Sequence, residues 1–205
     1  MNSPTRRTLI AAALALAAGT AFGNAAVGQP APAFTATDTN GKAVSLADFK
    51  GRHVVLEWVN PGCPYVVKHY SGGNMQGTQR EATAKGVVWL SVNSTATDSR
   101  DYRAPADMAG WMQQQKAAAT ATLMDADGKV GRAYGARTTP HMYVIDPAGK
   151  LVYAGAIDNK PSSNPADTAT ATNHVKVALA ELLAGKPVST PVTRPYGCSV
   201  KYSSM

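Results

Sequence analysis

The stretch that most constrains this chain runs from Val54 to Tyr70, VVLEWVNPGCPYVVKHY. Val54, Val55 and Leu56 form an apolar, largely β-branched run, which reads as a buried strand. Asn60-Pro61-Gly62 ends it, and Pro64 opens a helix, because the N–H that proline lacks would have no intrahelical partner at the first helical position. Cys63 therefore takes the N-cap place. The amides of Tyr65 and Val66 and the positive end of the helix dipole are expected to face its sulfur, a setting that favours the nucleophilic thiolate. The alternative is a half-buried cysteine serving as a small apolar residue.

The first 23 residues read as a leader rather than as part of the fold. Arg6 and Arg7 precede an Ala/Leu run from Leu9 to Ala18, and small residues follow near Gly23. The run is shorter than the roughly twenty apolar residues a bilayer span needs. Thr5-Arg6-Arg7-Thr8-Leu9-Ile10 resembles a twin-arginine signal, though paired arginines also occur in ordinary secretory leaders. Both routes export the mature chain, to a bacterial periplasm or beyond. The formal charge is +7, of which Arg6 and Arg7 supply two. The remaining basic residues form no cluster and no aromatic-basic stripe, which argues against nucleic acid as a partner. Nothing after residue 28 is long and apolar enough to be a membrane span.

Downstream, the pattern predicts alternating strands and helices over residues 27–185. Phe34 to Thr37 and Val44 to Leu46 flank an Asn40-Gly41 hairpin turn. The Cys63 helix is expected to break at Ser71-Gly72-Gly73 and resume from Asn74 to Lys85. Val87 to Val92 reads as a second buried strand, Pro105 as the start of a helix, Thr122 to Met124 as a short strand, and Lys129 to Tyr134 as a short helix. Met142 to Ile145 and Leu151 to Ala154 read as a hairpin, and Asn164-Pro165 as the start of the last helix, which Gly185 and Pro187 stop. Asp125-Ala126-Asp127-Gly128 is not a calcium loop, because Val130 and Ala136 fall where such a loop needs glycine and glutamate. Residues 186–205 form an irregular tail that carries Cys198, the only other cysteine.

This order of elements, with Tyr134-Gly135, Thr139-Pro140 and Ile145-Asp146-Pro147-Ala148-Gly149, resembles the thioredoxin fold in its redoxin branch, the peroxiredoxin-like AhpC/TSA proteins. The resemblance implies an α/β architecture: a central mixed sheet flanked by helices, with an N-terminal β-hairpin extension. It places Glu57, six residues before Cys63, where thioredoxins keep a buried acid that relays protons. A glutamate turned to solvent at a strand end is the alternative. It places Thr139-Pro140 at the cis-proline that faces the active cysteine, and so makes Thr139, Pro140, Pro64 and Tyr65 candidates for substrate binding. Val66 stands where the second cysteine of a C-x-x-C motif belongs, and the peroxiredoxin Pro-x-x-x-Thr-x-x-Cys pattern is absent. The resemblance is thus to a group with one active-site cysteine matching the first of thioredoxin.

The function implied is an exported thiol oxidoreductase or antioxidant with Cys63 as nucleophile and Cys198 as resolving partner. Its partners would be a thiol or disulfide protein, or a small oxidant, and an unidentified reductant. No cofactor is expected. A non-catalytic module with a structural Cys63–Cys198 disulfide is the second possibility. A copper chaperone is the third, and it is weak, because His69 falls about 240° around the helix from Cys63, leaving His141 as the other candidate ligand. His53 and His174 read as surface residues. The two cysteines are expected to pair, since the 13 residues after Gly185 reach about 40 Å when extended, enough to cross a domain.

Overall fold

The computed structural model describes residues 25–204, so the leader expected over 1–23 lies outside the described residues. Among the described residues, nine strands and five α-helices follow one another: β1 (Thr35–Asp38), β2 (Ala43–Ser45), β3 (Val54–Trp58), α1 (Pro64–Ser71), α2 (Asn74–Ala84), β4 (Val88–Asn93), α3 (Pro105–Gln114), β5 (Ala121–Met124), α4 (Lys129–Tyr134), β6 (Thr138–Thr139), β7 (His141–Ile145), β8 (Leu151–Gly155), α5 (His174–Leu183) and β9 (Cys198–Ser199). Seven strands form one mixed sheet in the order β2-β1-β5-β4-β3-β7-β8, with β3, β4 and β5 parallel and the others antiparallel. β6 and β9 form a separate two-stranded ribbon.

The period-two alternation of strand side chains divides the core in two. Val54, Leu56 and Trp58 of β3 join Val88, Leu90, Val92 and Tyr143 on one face, under α4. Val55 and Val59 join Trp89, Met142 and Val144 on the other, under Val66, Tyr70, Met75, Met108 and Val175 of the four remaining helices. Glu57 belongs by the same alternation to this second, helix-covered face. It is fully buried, and the alternative of a solvent-turned glutamate is thereby excluded.

The Asn40-Gly41 turn forms as expected. The Asp38 carboxylate accepts from the amides of Asn40 and Lys42 at 2.8 and 2.9 Å, and Gly41 supplies the positive φ. Helices α1 and α2 are split at Gly72-Gly73, where Gly73 adopts a left-handed conformation. Two expectations are corrected. Asn164-Pro165 opens only a 3-10 turn, Pro165–Ala169, and the last helix starts at His174 with Asn173 capping the amide of Lys176. The intervening Thr168-Ala169-Thr170-Ala171-Thr172 has β-branched threonine at every second position, a poor helix sequence.

The second correction concerns the tail, which is not structureless. Val192 bridges to Ala154 at the edge of β8, and Thr193 Oγ1 accepts from the amide of Ala156 at 2.9 Å. Residues 198–199 form β9. The tail crosses β8 so closely that a Cβ added to Gly155 would lie 2.6 Å from the carbonyl oxygen of Thr193. Gly155→Ala should therefore destabilise the protein by about 1–3 kcal/mol, as overpacking does. The tail should at the same time become cleavable by a protease, which a urea titration and limited proteolysis on the same sample would check. An unchanged digestion pattern would mean that this crossing does not hold the tail.

Candidate active site

The buried strand β3 delivers the chain to the Asn60-Pro61-Gly62 turn. The Asn60 side chain accepts from the amide of Gly62 at 2.8 Å and its carbonyl from that of Cys63 at 3.1 Å. Cys63 is the N-cap of α1 with Pro64 following, as the sequence predicts. Its sulfur, however, takes no capping hydrogen bond. The amides of Val66 and Val67 bond the Cys63 carbonyl instead, and Cys63 Sγ donates to the carbonyl of Thr139 at 3.0 Å. The expectation that the first-turn amides serve the sulfur is corrected on that ground: a carbonyl across the site competes for the thiol. Cys63 is only 2% exposed.

Thr139 precedes Pro140 through a cis peptide bond. Its backbone pairs antiparallel with Cys198 in the β6–β9 ribbon, while its own hydroxyl is buried without a partner. The tail thus brings the second cysteine to the residue whose carbonyl holds the first. The disulfide expected between them is not formed in this structure, where both cysteines are free thiols. Burial pushes the Cys198 thiol up to about 12, and the neighbouring Cys63 adds to the rise.

Glu57 accepts four hydrogen bonds: from the Tyr70 hydroxyl at 2.7 Å, Gln79 Nε2 at 3.0 Å, Trp89 Nε1 at 2.7 Å and Ser91 Oγ at 3.0 Å. Burial raises its pKa, and the four donors act against that rise. Among the described residues no hydrogen bond joins Glu57 to either sulfur.

Sequence reasoning missed a second buried cluster. Lys68, fully buried on α1, points its ammonium at Asp158 Oδ2 (3.5 Å) and at the carbonyl of Lys160 (2.6 Å). The hydroxyl of Tyr196, two residues before Cys198, donates to Asp158 and receives Lys68 Nζ at 3.3 Å. His69 completes the cluster. Its Nδ1 faces the Asn74 amide at 2.8 Å and its Nε2 the Tyr196 hydroxyl at 3.2 Å, which fits the tautomer with the proton on Nε2. Both nitrogens of His69 are therefore engaged away from Cys63, and His141 Nδ1 meets the Tyr143 hydroxyl at 3.1 Å. His53 and His174 are half-buried rather than fully at the surface. Tyr65 stacks edge-on against Tyr196, their centroids 5.9 Å apart. The available signal was Lys68-His69 on the helix that Cys63 begins, but Asp158, Lys160 and Tyr196 lie far along the chain, in distant loops.

A seven-stranded mixed sheet with a cysteine at the start of its first long helix and a cis-proline opposite defines a thioredoxin-like redoxin. Residues 27–154 match the AhpC/TSA family, and the chain belongs to it. It is 28% identical over 132 residues to the thiol-disulfide oxidoreductase ResA of Bacillus subtilis, a match covering 61% of this chain and 64% of that protein. Among solved structures, it resembles an uncharacterised conserved protein from Geobacillus kaustophilus at 27% identity and a TM-score of 0.76, over 88% of this chain and 94% of that one. It also resembles the thioredoxin domain of a thiol-disulfide oxidoreductase from Bacteroides vulgatus at 29% identity and a TM-score of 0.50, over 63% and 87% of the two chains.

Two buried histidines make stability depend on pH. Burial holds both His69 and His141 down at about 4, with Asp158 and Lys68 acting in opposite directions on His69, and Arg137 lowering His141 further. An unfolded histidine titrates near 6.5. Between those values the unfolded chain binds more protons than the folded one. Stability is therefore complete above pH 6.5 and falls as pH drops toward 4, by up to about 1.4 kcal/mol per pH unit for each histidine. Urea titrations at pH 7.5 and pH 5 should show this loss, and His141→Gln should flatten it. The same pH dependence in His141→Gln as in the wild type would contradict the burial of that ring.

Proposed function

We propose that the protein is an exported thiol-disulfide oxidoreductase in which Cys63 is the nucleophile and Cys198 resolves the intermediate. What supports the reading is the β6–β9 ribbon. It sets Cys198 against Thr139, whose carbonyl holds the Cys63 thiol, so one peptide unit brings together two cysteines separated by most of the chain. The resemblance to a ResA thiol-disulfide oxidoreductase and the redoxin family model point the same way. Export rests on the sequence of the leader. A thiolate at Cys63 attacks one sulfur of a substrate disulfide, forming a mixed disulfide and expelling the other sulfur as a thiolate. Cys198, released from its interaction with the Cys63 thiol, then attacks Cys63 Sγ, forming the Cys63–Cys198 bond and freeing the substrate thiol. A thiol reductant returns the pair to its starting state. A small oxidant can enter the same cycle through a sulfenic acid on Cys63, which Cys198 condenses with to give the same disulfide and water.

A second reading, a structural Cys63–Cys198 cross-link, is favoured by the near-complete burial of Cys63. The reduction potential separates the two: about −100 to −270 mV for a working pair and below about −300 mV for a structural one. Cys63→Ser should abolish exchange with small disulfides, and Cys198→Ser should stop the cycle at the mixed disulfide, both read by mass spectrometry of the quenched protein. A Cys198→Ser protein that turns over like the wild type would remove Cys198 from the mechanism.

Glu57 is assigned to proton handling at this site through its buried charge. In Glu57→Gln the amide oxygen can still accept from Gln79, Trp89 and Ser91, with the nitrogen turned to the Tyr70 hydroxyl. The variant should fold with equal or higher stability, since burial opposes the charged form. It should slow exchange at pH 7 by roughly tenfold. An unchanged rate from pH 5 to 9 would make Glu57 a structural residue only.

A further inference from the structure

The path to Cys63 is occupied by the chain itself. Cys63 is 2% exposed, and β9 lays Cys198 against Thr139, the residue whose carbonyl holds the Cys63 thiol. Any sulfur that Cys63 is to attack must take the place of the Cys198 sulfur. The strand edge beside it, Thr138–Thr139, is the one that β9 fills. A polypeptide bringing a disulfide to Cys63 would have to lie along that same edge, since an exposed strand edge recruits extended chain by backbone pairing. The fit is close: Gly197 has φ +137°, and a Cβ there would stand 2.1 Å from the Thr139 carbonyl oxygen.

Upstream, the segment is latched by the Tyr196 hydroxyl in the Lys68–His69–Asp158 cluster. Downstream, it is held by Val200 N–H to the Arg137 carbonyl at 3.0 Å and by Ala96 N–H to the Lys201 carbonyl at 2.8 Å. The stretch leading into the latch is loosely backed: residues 193–197 line an open cavity of about 500 Å³ together with Asp158 and Asn159. Held by a few anchors and open on one side, the segment is a strap rather than a piece of core.

We propose that Tyr196–Ser199 is a resident substrate mimic: it holds the groove in which an extended, cysteine-bearing polypeptide would pair with Thr138–Thr139, so that protein disulfides reach Cys63 only when the strap lifts. This rests on Cys63 being the nucleophile. The segment also indicates the kind of partner the groove accepts. A small residue precedes the cysteine, because nothing larger clears the Thr139 carbonyl. An aromatic residue lies two positions before it, against Tyr65.

The test uses the full mature chain in a Cys198→Ser background, where Cys63 is the only thiol and an adduct with a protein stays trapped. Cys63 attacks one sulfur of the protein disulfide, a new S–S bond replaces the old one, and the expelled sulfur leaves as a thiolate. Two rates are compared, trapping of insulin through its disulfides and modification by methyl methanethiosulfonate. Adding Gly197→Ala should raise the ratio of the insulin rate to the small-reagent rate at least tenfold, with loss of hydrogen-exchange protection at the Val200 amide. Adding Tyr196→Phe instead should raise it at least threefold. A ratio within twofold of the parent while Val200 loses protection would overturn the proposal, as would a Gly197→Ala protein whose Val200 stays protected. A Cys63 that neither reagent modifies in any variant would overturn the assignment of Cys63 itself, and the proposal with it.

Discussion

The carbonyl of Thr139 is the point at which the two halves of this molecule meet. It accepts the Cys63 thiol from the start of α1, and its own strand pairs with the residue that carries the second thiol. One peptide unit therefore fixes the relative place of two groups that are 135 residues apart in the sequence. The sheet makes this possible. β3 ends at the turn before Cys63, β7 begins just after Pro140, and the antiparallel register pairs Trp58 with His141. The loops at both strand ends thus emerge at the same edge of the sheet. The thiol there donates to the Thr139 carbonyl and makes no hydrogen bond to the helix amides.

Two buried polar clusters flank this point, and they are built on different terms. Glu57 has four neutral donors and no cation, so burial works against its charge. Lys68 and Asp158 are an ion pair, with Tyr196 donating to one carboxylate oxygen and receiving the ammonium. Removing one partner of such a buried pair leaves an unpaired charge, while an apolar replacement of all partners is often neutral. Their presence is thus poor evidence of stability for its own sake. Their placement is more informative, one behind Cys63 in the core and the other on the segment that delivers Cys198. Perturbed ionisable groups concentrate where chemistry is done.

Much of this was legible in local sequence. The apolar run, the Asn60-Pro61-Gly62 break and Pro64 specify a strand, a turn and a capped helix within about a dozen residues. Ser71-Gly72-Gly73 and Asn40-Gly41 name their own conformations. The last helix was misplaced because Asn164-Pro165 is a valid helix start at short range, and only the threonines after it reject the helix. The Tyr196 latch was illegible for another reason. Its partners Lys68, His69 and Asp158 come from α1 and a distant loop, and no local pattern encodes their meeting. Cys198 could be inferred from cysteine arithmetic and chain reach, whereas the ribbon that carries it could not, since two residues of strand have no periodicity to read.

The place of the second cysteine has a consequence for how redox state and access are coupled. In a C-x-x-C arrangement both sulfurs belong to one helix start, and the groove beside them is independent of their oxidation. Here that second position is Val66, fully buried in the core, and the partner thiol rides on a strap. With both thiols reduced, the strap is held by non-covalent contacts alone: hydrogen bonds, the edge-on contact with Tyr65, Lys68 over the Tyr196 ring and partial apolar packing. A disulfide between Cys63 and Cys198 would tie the strap covalently across the same edge that a polypeptide needs. On this geometry oxidation closes the groove and reduction makes it openable, so the reduced protein alone can accept a chain along Thr138–Thr139.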